Sequence, residues 1–203
     1  MKHEALSVMK RALTSVFCIV ALLASAALAD PQKAKELFNE GLDAEKKGDL
    51  ATAVTAYEAA IGQDAAFIDP QMNLAAIYFK QGKLDNALKL YKSVTEKDAK
   101  NVDAFTNLGK IQSSLKQFAE AEVSFNKALA LKPGDKELQK EIAKLYNRKN
   151  DYTNVIKSVE QIHSSGGGDD ETWYMLGRAY SKTDKSTEAV TALKKATELD
   201  PKQ

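Results

Sequence analysis

The chain has 203 residues, with 29 basic against 28 acidic side chains and no run of five like charges. This balance excludes the strong positive field with which proteins bind the phosphates of nucleic acid, so nucleic acid is not an expected partner. Only four prolines and ten glycines occur, while Ala, Leu, Lys, Glu and Gln are abundant, and this composition favours an all-α protein.

The first element, residues 1–29, has the pattern of a secretory signal peptide. An apolar run from Ala12 to Ala24 follows the basic residues Lys2, Lys10 and Arg11. The run ends shortly before Ala27-Leu28-Ala29, which places small residues where a signal peptidase cleaves. A membrane anchor needs about 20 apolar residues, and this run is shorter. We therefore predict cleavage after Ala29, from a start at either Met1 or Met9.

The cysteine and asparagine content bears on the compartment of the exported protein. The single cysteine, Cys18, lies inside the apolar run and would be removed with the signal peptide. The chain contains no Asn-x-Ser/Thr sequon, so no N-glycosylation site is present. A secreted chain without disulfides or glycosylation sites is typical of the bacterial periplasm, which is the predicted location.

After a short segment at 30–33, the sequence repeats with a period of 34 residues. The five repeats span 34–67, 68–101, 102–135, 136–169 and 170–203. The eighth residue of each is small: Gly41, Ala75, Gly109, Ala143 and Gly177. The twentieth residues are Ala53, Ala87, Ala121, Val155 and Ala189. Small residues at a fixed helical spacing predict close contacts between neighbouring helices.

Each repeat is predicted to fold as a helix, a tight turn and a second helix. The predicted turns are Gly48-Asp49, Gly82-Lys83, Lys116-Gln117, Asn150-Asp151 and Asp184-Lys185. Repeat four is degenerate, because Val155 and Ile162 replace small residues and Ser164 to Gly168 replace a proline-containing link. We expect this repeat to be the weak joint of the array.

Repeat five carries a recognisable family pattern in Trp173, Leu176, Gly177, Tyr180, Ala189 and Pro201. With these residues the chain resembles the tetratricopeptide repeat (TPR) family. The resemblance implies a right-handed α-solenoid of five helix-turn-helix repeats, with a concave groove lined by the first helix of each repeat. It also implies a protein-binding function.

Few residues are suited to catalysis or metal binding. The mature chain would keep a single histidine, His163, and no cysteine, which excludes a thiol nucleophile and a Cys/His zinc site. The glycine-rich segment from Ser164 to Gly168 follows a helix and lacks a Gly-Lys-Ser/Thr continuation, so it is not a phosphate loop. We predict no enzyme activity, no metal, no cofactor and no small-molecule substrate.

The resemblance places the candidate peptide-binding residues on the first helices. Asn39, Asn73 and Asn107 form a ladder of amides, which in related proteins bind the backbone of an extended peptide. Asparagine is also simply common at this position, and both interpretations remain open. The apolar anchors would be Phe38, Leu42, Met72 and Phe79.

A charged half of the groove begins at Lys110. Its further cations are Lys140, Lys144 and Arg148. The carboxylate clamp of chaperone-docking relatives is not expected, because its places are occupied by Phe38, Leu42, Asp103 and Asn107.

Two functions follow from these observations. The first is an envelope scaffold or adaptor that binds a peptide or helix of a partner protein within an envelope assembly. The alternative is a chaperone-like periplasmic holdase or carrier for exported proteins. Val190 is predicted to be exposed on the last helix, so self-association through the C-terminal repeat is a further expectation. The sequence names neither the partner nor the binding face.

Overall fold

A computed structural model describes residues 29–200, and within them every regular element is an α-helix, which confirms the all-α class. The predicted signal peptide up to Leu28, with Cys18, and Pro201 of the family pattern in repeat five lie outside the described residues. Between residues 29 and 200 no helix is long and apolar enough to cross a membrane.

Ten helices follow one another in the described range, two in each repeat. They are α1 (Pro31–Lys46), α2 (Leu50–Gln63), α3 (Ile68–Lys80), α4 (Leu84–Lys97), α5 (Val102–Ser114), α6 (Phe118–Leu131), α7 (Lys136–Arg148), α8 (Tyr152–Ser164), α9 (Asp170–Lys182) and α10 (Ser186–Leu199). Odd-numbered helices are the first helices of the repeats and even-numbered ones the second. The chain divides into two compact bodies, and the division falls within α3 between Ile77 and Tyr78.

Short polar side chains start most of the helices. The side chain of Asp49 accepts a hydrogen bond of 3.1 Å from the Thr52 amide at the start of α2. Asp169 accepts one of 2.8 Å from the Thr172 amide at the start of α9, and the Thr172 hydroxyl completes a reciprocal capping box. The same role is filled by Asp30, Asn101, Asp135 and Asp151. Caps of this kind satisfy amides that the helix leaves unpaired.

The turn within each repeat places one residue in the left-handed region of backbone space. These residues are Gly48, Gly82, Lys116, Asn150 and Asp184, each 34 positions after the previous one, with φ between 58° and 78°. Glycine adopts this conformation without strain, and Asn and Asp tolerate it better than most residues. Lys116 is the member of this set with the least favourable residue type.

The small eighth residues allow a first helix to approach a side chain on the second helix of its own repeat. A Cβ atom added at Gly41 would lie 2.4 Å from the Tyr57 ring. At Gly109 it would lie 2.7 Å from the Phe125 ring. The predicted close contacts are therefore confirmed at these positions. The twentieth residue of every repeat, from Ala53 to Ala189, is also buried.

Within the C-terminal body, each second helix packs on the first helix of the next repeat. These contacts join α4 to α5, α6 to α7, and α8 to α9. One core cluster around Phe125, Leu138 and Leu145 joins repeats three and four. Another around Val159, Ile162 and Leu176 joins repeats four and five. First helices also contact each other directly, α5 with α7 and α7 with α9.

Candidate functional site

In the N-terminal body, the predicted anchor Phe38 packs against aromatic neighbours. Its ring centroid lies 5.7 Å from that of Tyr57 and 5.2 Å from that of Phe67, in an edge-on arrangement with the latter. Phe38 and Leu42 are both half-buried, and Asn39 is exposed. Phe38 thus already has two aromatic partners within its own repeat, which reduces the surface it can offer to a peptide.

Asn73, the second member of the predicted amide ladder, has a partner inside the protein. Its Nδ2 donates to the Tyr57 hydroxyl at 3.2 Å, and that hydroxyl donates to a Glu45 carboxylate oxygen at 2.9 Å. Burial, and next the hydrogen bond and charge of Glu45, raise the pKa of Tyr57 to about 12 against the opposing effect of Asn73. The Asn73 amide therefore has a structural role, while Met72 beside it is half-buried.

In the C-terminal body, the structure brings two of the predicted site residues together. Phe79 of α3 and Lys110 of α5 line one cavity of about 180 Å³, which we call the first-helix cavity. Its other lining residues are Ser113, Ser114, Phe125, Glu141, Lys144, Leu145 and Arg148. Asn107 is half-buried on α5 and is not among them. All but Phe125 belong to the first helices of repeats two, three and four.

Charged groups of opposite sign share this cavity. Lys110 lies 3.5 Å from the Glu141 carboxylate, and Lys144 lies 3.8 Å from the same carboxylate. The Arg148 guanidinium donates to the hydroxyls of Ser113 at 3.3 Å and Ser114 at 3.4 Å. With three cations and one carboxylate in its lining, the cavity carries net positive charge.

Sequence reasoning assigned Phe79 to the apolar half of a groove and Arg148 to the charged half. It did not predict that both line one cavity with Ser113 and Ser114. The available signal was the 34-residue period, since Ser114 and Arg148 occupy the same place in successive repeats.

A network of ion pairs continues from the cavity to repeat five. Lys140 lies 2.5 Å from Asp169 and 2.8 Å from Glu171, and Lys144 lies 3.0 Å from Glu171. Burial alone would raise the pKa of both carboxyls, but hydrogen bonds from the lysines, with Thr172 adding to them at Asp169, outweigh it and lower both pKa values. Burial alone would lower the pKa of Lys140, but the hydrogen bonds and charges of the two carboxylates outweigh it and raise that pKa. Lys140 and Lys144 are thus held by internal partners.

No group of three His, Cys, Asp or Glu side chains is arranged as a metal site in the part of the chain that the structure describes. His163 lies near the end of α8, with Nε2 at 3.1 Å from the buried Thr172 hydroxyl. Burial, against the charges of Asp169 and Glu160, lowers the pKa of His163.

Comparison with known proteins finds the same repeat. Residues 75–116 match the family described as TPR repeat. Residues 102–135 and 170–203 match the family described as Tetratricopeptide repeat.

Two curated relatives are the TPR repeat-containing protein YpiA of Bacillus subtilis (strain 168) and the photosystem I assembly protein Ycf3 of Synechococcus sp. (strain CC9311). YpiA is 26% identical over 75% of this chain and 36% of its own length. Ycf3 is 30% identical over 52% of this chain and 65% of its own length. The chain therefore spans less than two thirds of either relative.

Solved structures of repeat proteins share the fold. A crystal structure of MamA protein has a TM-score of 0.77 at 22% identity and covers 84% of this chain and 93% of MamA. YrrB, described as a TPR protein with an unusual peptide-binding site, has a TM-score of 0.71 at 18% identity, covering 81% and 85%. The first TPR of Spaghetti (RPAP3) bound to the HSP90 peptide SRMEEVD has a TM-score of 0.56 at 23% identity. The match covers 59% of this chain and 95% of the RPAP3 chain. Residues 75–135 and 170–203 are therefore tetratricopeptide repeats, and the ten helices between residues 29 and 200 share the fold of these solved repeat proteins.

Proposed function

We propose that this protein is a non-enzymatic scaffold that holds a peptide segment of a partner protein at the first-helix cavity. The observation that carries the proposal is the cavity itself, where first helices of three repeats converge on a net positive hollow with an apolar floor. Phe125 and Leu145 supply that floor. An apolar side chain can pack there or against Phe79 while a carboxylate meets the cations.

Arg148 is the residue of the cavity best placed to receive a carboxylate. Lys110 and Lys144 each have a carboxylate partner, whereas the described partners of Arg148 are two neutral hydroxyls. A guanidinium binds a carboxylate through two parallel hydrogen bonds and gains more from this than from neutral acceptors. The expected partner segment therefore has an acidic residue next to an apolar one.

The solved structures support this partner chemistry. The RPAP3 repeats are described with the HSP90 peptide SRMEEVD, in which three acidic residues flank a valine at the C-terminal end, and YrrB is described as having a peptide-binding site. The proposed site is not the carboxylate clamp of chaperone-docking relatives, because its cations Lys110, Lys144 and Arg148 are not the residues at the clamp's places in this chain. The anchors Phe38, Leu42 and Met72 and the amide of Asn39 remain predictions for the N-terminal body. The amide of Asn107 remains a prediction for the C-terminal body.

The proposal extends to the cell envelope, where the scaffold would serve an assembly of exported proteins. The signal-like pattern of residues 1–29 supports it. Helix α1 begins at Pro31, and the Asp30 side chain caps it by accepting from the Lys33 amide at 2.9 Å. Cleavage after Ala29 would leave this cap intact. N-terminal sequencing of the exported protein should therefore begin at Asp30, and a sequence starting at Met1 or Met9 would contradict it.

A photocrosslinker placed at position 79 or 114 in the native host tests the binding site. We expect both positions to crosslink to the same partner segment, and that segment should contain an acidic residue beside an apolar one. Arg148→Ala should abolish most of the crosslinking, because it removes the one cavity cation with neutral partners. Lys182→Ala is the matched control, since it occupies the same place in repeat five and is exposed outside the cavity.

Raised salt should weaken the crosslink, because charge pairs near a surface are screened at ionic strengths above about 0.1 M. Unchanged crosslinking in Arg148→Ala, or crosslinking that ignores salt, would contradict the cavity as the binding site.

A further inference from the structure

A second hollow in the C-terminal body lies between second helices and is lined by none of the residues of the first-helix cavity. It has a volume of about 380 Å³ and forms where α8, α9 and α10 meet, so we call it the junction pocket. Trp173 and Tyr180 of α9 and His163 of α8 supply its aromatic wall, and Leu176 and Ala192 its aliphatic floor. Pockets that bind ligands commonly have volumes of about 300 to 1,000 Å³ and are lined mainly by aromatic and aliphatic side chains of this kind.

The same place one repeat earlier is nearly filled. There α6, α7 and α8 meet around a hollow of only about 70 Å³. Shifted by 34 positions, its residues Leu129, Gln139 and Ile142 correspond to His163, Trp173 and Leu176 of the junction pocket. The junction pocket is therefore larger than the hollow at the same positions one repeat earlier. In the N-terminal body, repeat one also has a hollow of about 380 Å³ at the corresponding positions of its own two helices, but there Leu37 and Glu40 stand in the places of Trp173 and Leu176.

The aromatic wall of the junction pocket is built around a glycine. The rings of His163 and Trp173 stack with centroids 4.0 Å apart. A Cβ atom at Gly168 would lie 2.9 Å from the His163 ring and 3.1 Å from the Trp173 indole nitrogen. A side chain at this position would push the two rings out of their present places, so part of the glycine-rich link has a packing role at the pocket.

The rim of the junction pocket is acidic. Glu160 of α8 accepts a hydrogen bond of 2.5 Å from the Tyr180 hydroxyl, and Glu188 of α10 also lines the pocket. Burial, then the hydrogen bond and charge of Glu160 and the charge of Glu188, raise the pKa of Tyr180 to about 12. Among the described residues, no lysine or arginine lines the pocket.

The aromatic wall already attracts a cation from outside the pocket. Lys185 Nζ lies 5.5 Å from the centroid of the Tyr180 ring, within the distance at which a cation and an aromatic face attract. Burial lowers the pKa of His163 and so favours the uncharged form of its imidazole ring. The lining therefore has net negative charge from two carboxylates, around an apolar interior.

We propose that the junction pocket is a second protein-docking site, which receives an arginine or lysine side chain flanked by apolar residues in a partner segment. The aliphatic stem would pack on Trp173 and Leu176, and the cationic head would meet Glu160 and Glu188 at the rim. Charge complementarity selects this occupant. This site differs from the proposed scaffold site in its helices and in the sign of its charge, so the two would hold segments of opposite character.

Trp173 is the only tryptophan of the chain, so its fluorescence reports on the junction pocket alone. We would titrate the purified protein with the synthetic peptide acetyl-Leu-Arg-Leu-Leu-Arg-Leu-amide. Two matched peptides carry citrulline or glutamate in place of both arginines. Citrulline keeps the shape of arginine and removes the charge. We expect a saturable change in Trp173 emission with the arginine peptide, binding about tenfold weaker with citrulline, and none with glutamate.

The double variant Glu160→Gln, Glu188→Gln should weaken the arginine peptide by about tenfold and leave the citrulline peptide unchanged. Glu96→Gln, Glu120→Gln is the matched control, because both residues are exposed on other helices of the same body. Arg148→Ala should leave arginine-peptide binding intact, which separates this site from the first-helix cavity. Equal affinity for the arginine and citrulline peptides, or no saturable change with the wild-type protein, would overturn the proposal without any variant.

Discussion

Two of the three junctions between repeats in the C-terminal body use the same helix positions and differ in what fills them. Between repeats three and four, Leu129, Gln139 and Ile142 leave a hollow of about 70 Å³. Between repeats four and five, His163, Trp173 and Leu176 surround about 380 Å³. We call these the closed and the open junction. The comparison teaches that a repeat array can open one junction on its second-helix side while the neighbouring junction stays packed.

The open junction is held on its first-helix side by charge. Lys140 of α7 reaches Asp169 and Glu171 at the start of α9, at 2.5 and 2.8 Å. Across the closed junction, the corresponding first helices α5 and α7 are joined by a longer ion pair, Lys110 with Glu141 at 3.5 Å, and by the hydrogen bonds from Arg148 to two neutral hydroxyls. Packing on the second-helix side and ion pairing on the first-helix side therefore complement each other along the array.

The largest expected effect concerns the cores on which the two junctions rest. Phe125 and Val159 occupy the same repeat position and are both fully buried, in the closed and open junctions respectively. Phe125→Ala should lower the free energy of unfolding by about 3 to 5 kcal/mol. Val159→Ala removes only two carbons and should cost about 1.6 kcal/mol. Urea unfolding followed by far-ultraviolet dichroism measures both.

Hydrogen exchange extends this test to the wild-type protein. Because the open junction depends on smaller side chains, amides of repeats four and five should exchange before those of repeat three. Equal losses in the two variants, together with uniform protection across the repeats, would show that the open junction is no weaker than the closed one.

A smaller effect is expected from the ion pairs that hold the open junction. The folded pKa values of Asp169 and Glu171 lie below their ordinary values of 3.8 and 4.5. The stabilisation is therefore complete above the ordinary values and is lost as the pH falls through the folded ones. Because both carboxylates are about 40% exposed, solvent screening limits the gain to about 1 kcal/mol.

The variant Asp169→Asn, Glu171→Gln should flatten the dependence of unfolding free energy on pH below about 4.5. Asparagine keeps the capping role at the start of α9. Glu198→Gln is the control, since it removes an exposed pair with Lys195 within one helix. An unchanged pH dependence in the double variant would show that these contacts do not hold the open junction.

The period of the sequence predicted the fold because each repeat position has one steric role. The small eighth residue meets a bulky side chain in repeats one, three and five, and a helix cannot come as close with any other residue there. The tight turns were predicted as well, although Lys116 shows that the left-handed position does not always carry a typical residue. Local spacing was sufficient for these features.

The site residues were harder to predict, because their roles depend on neighbours in other helices. The sequence placed Asn73 on the groove face, but its amide is bound to Tyr57, sixteen residues earlier in the chain. The sequence indicated only a glycine-rich link between repeats at Gly168, whereas the structure places it against His163 and Trp173. Periodicity assigns a residue to a face of a helix but does not say which side chain already occupies that face.

The smallest expected loss of stability is that of Gly168→Ala, and Gly134 at the same position of the preceding repeat is its counterpart. Gly134, in the closed junction, has φ of 84° with open space around it. Gly168, in the open junction, lacks a positive φ but stands against the His163 and Trp173 rings. Gly134→Ala should cost about 1 to 2 kcal/mol through backbone strain and leave Trp173 emission unchanged. Gly168→Ala should cost less than about 1 kcal/mol, because His163 can shift into the adjoining pocket.

The spectroscopic effects should be the reverse of the effects on stability. In Gly168→Ala the displaced rings should change Trp173 emission and reduce the free volume of the junction pocket, so the arginine peptide should bind more weakly. Gly134→Asn should recover part of the stability lost in Gly134→Ala, since asparagine tolerates the left-handed region. Fluorescence and urea unfolding on the three variants measure both quantities. If Gly168→Ala left emission and peptide binding unchanged, the glycine would not shape the pocket, and the difference between the two junctions would have to come from His163 and Trp173 alone.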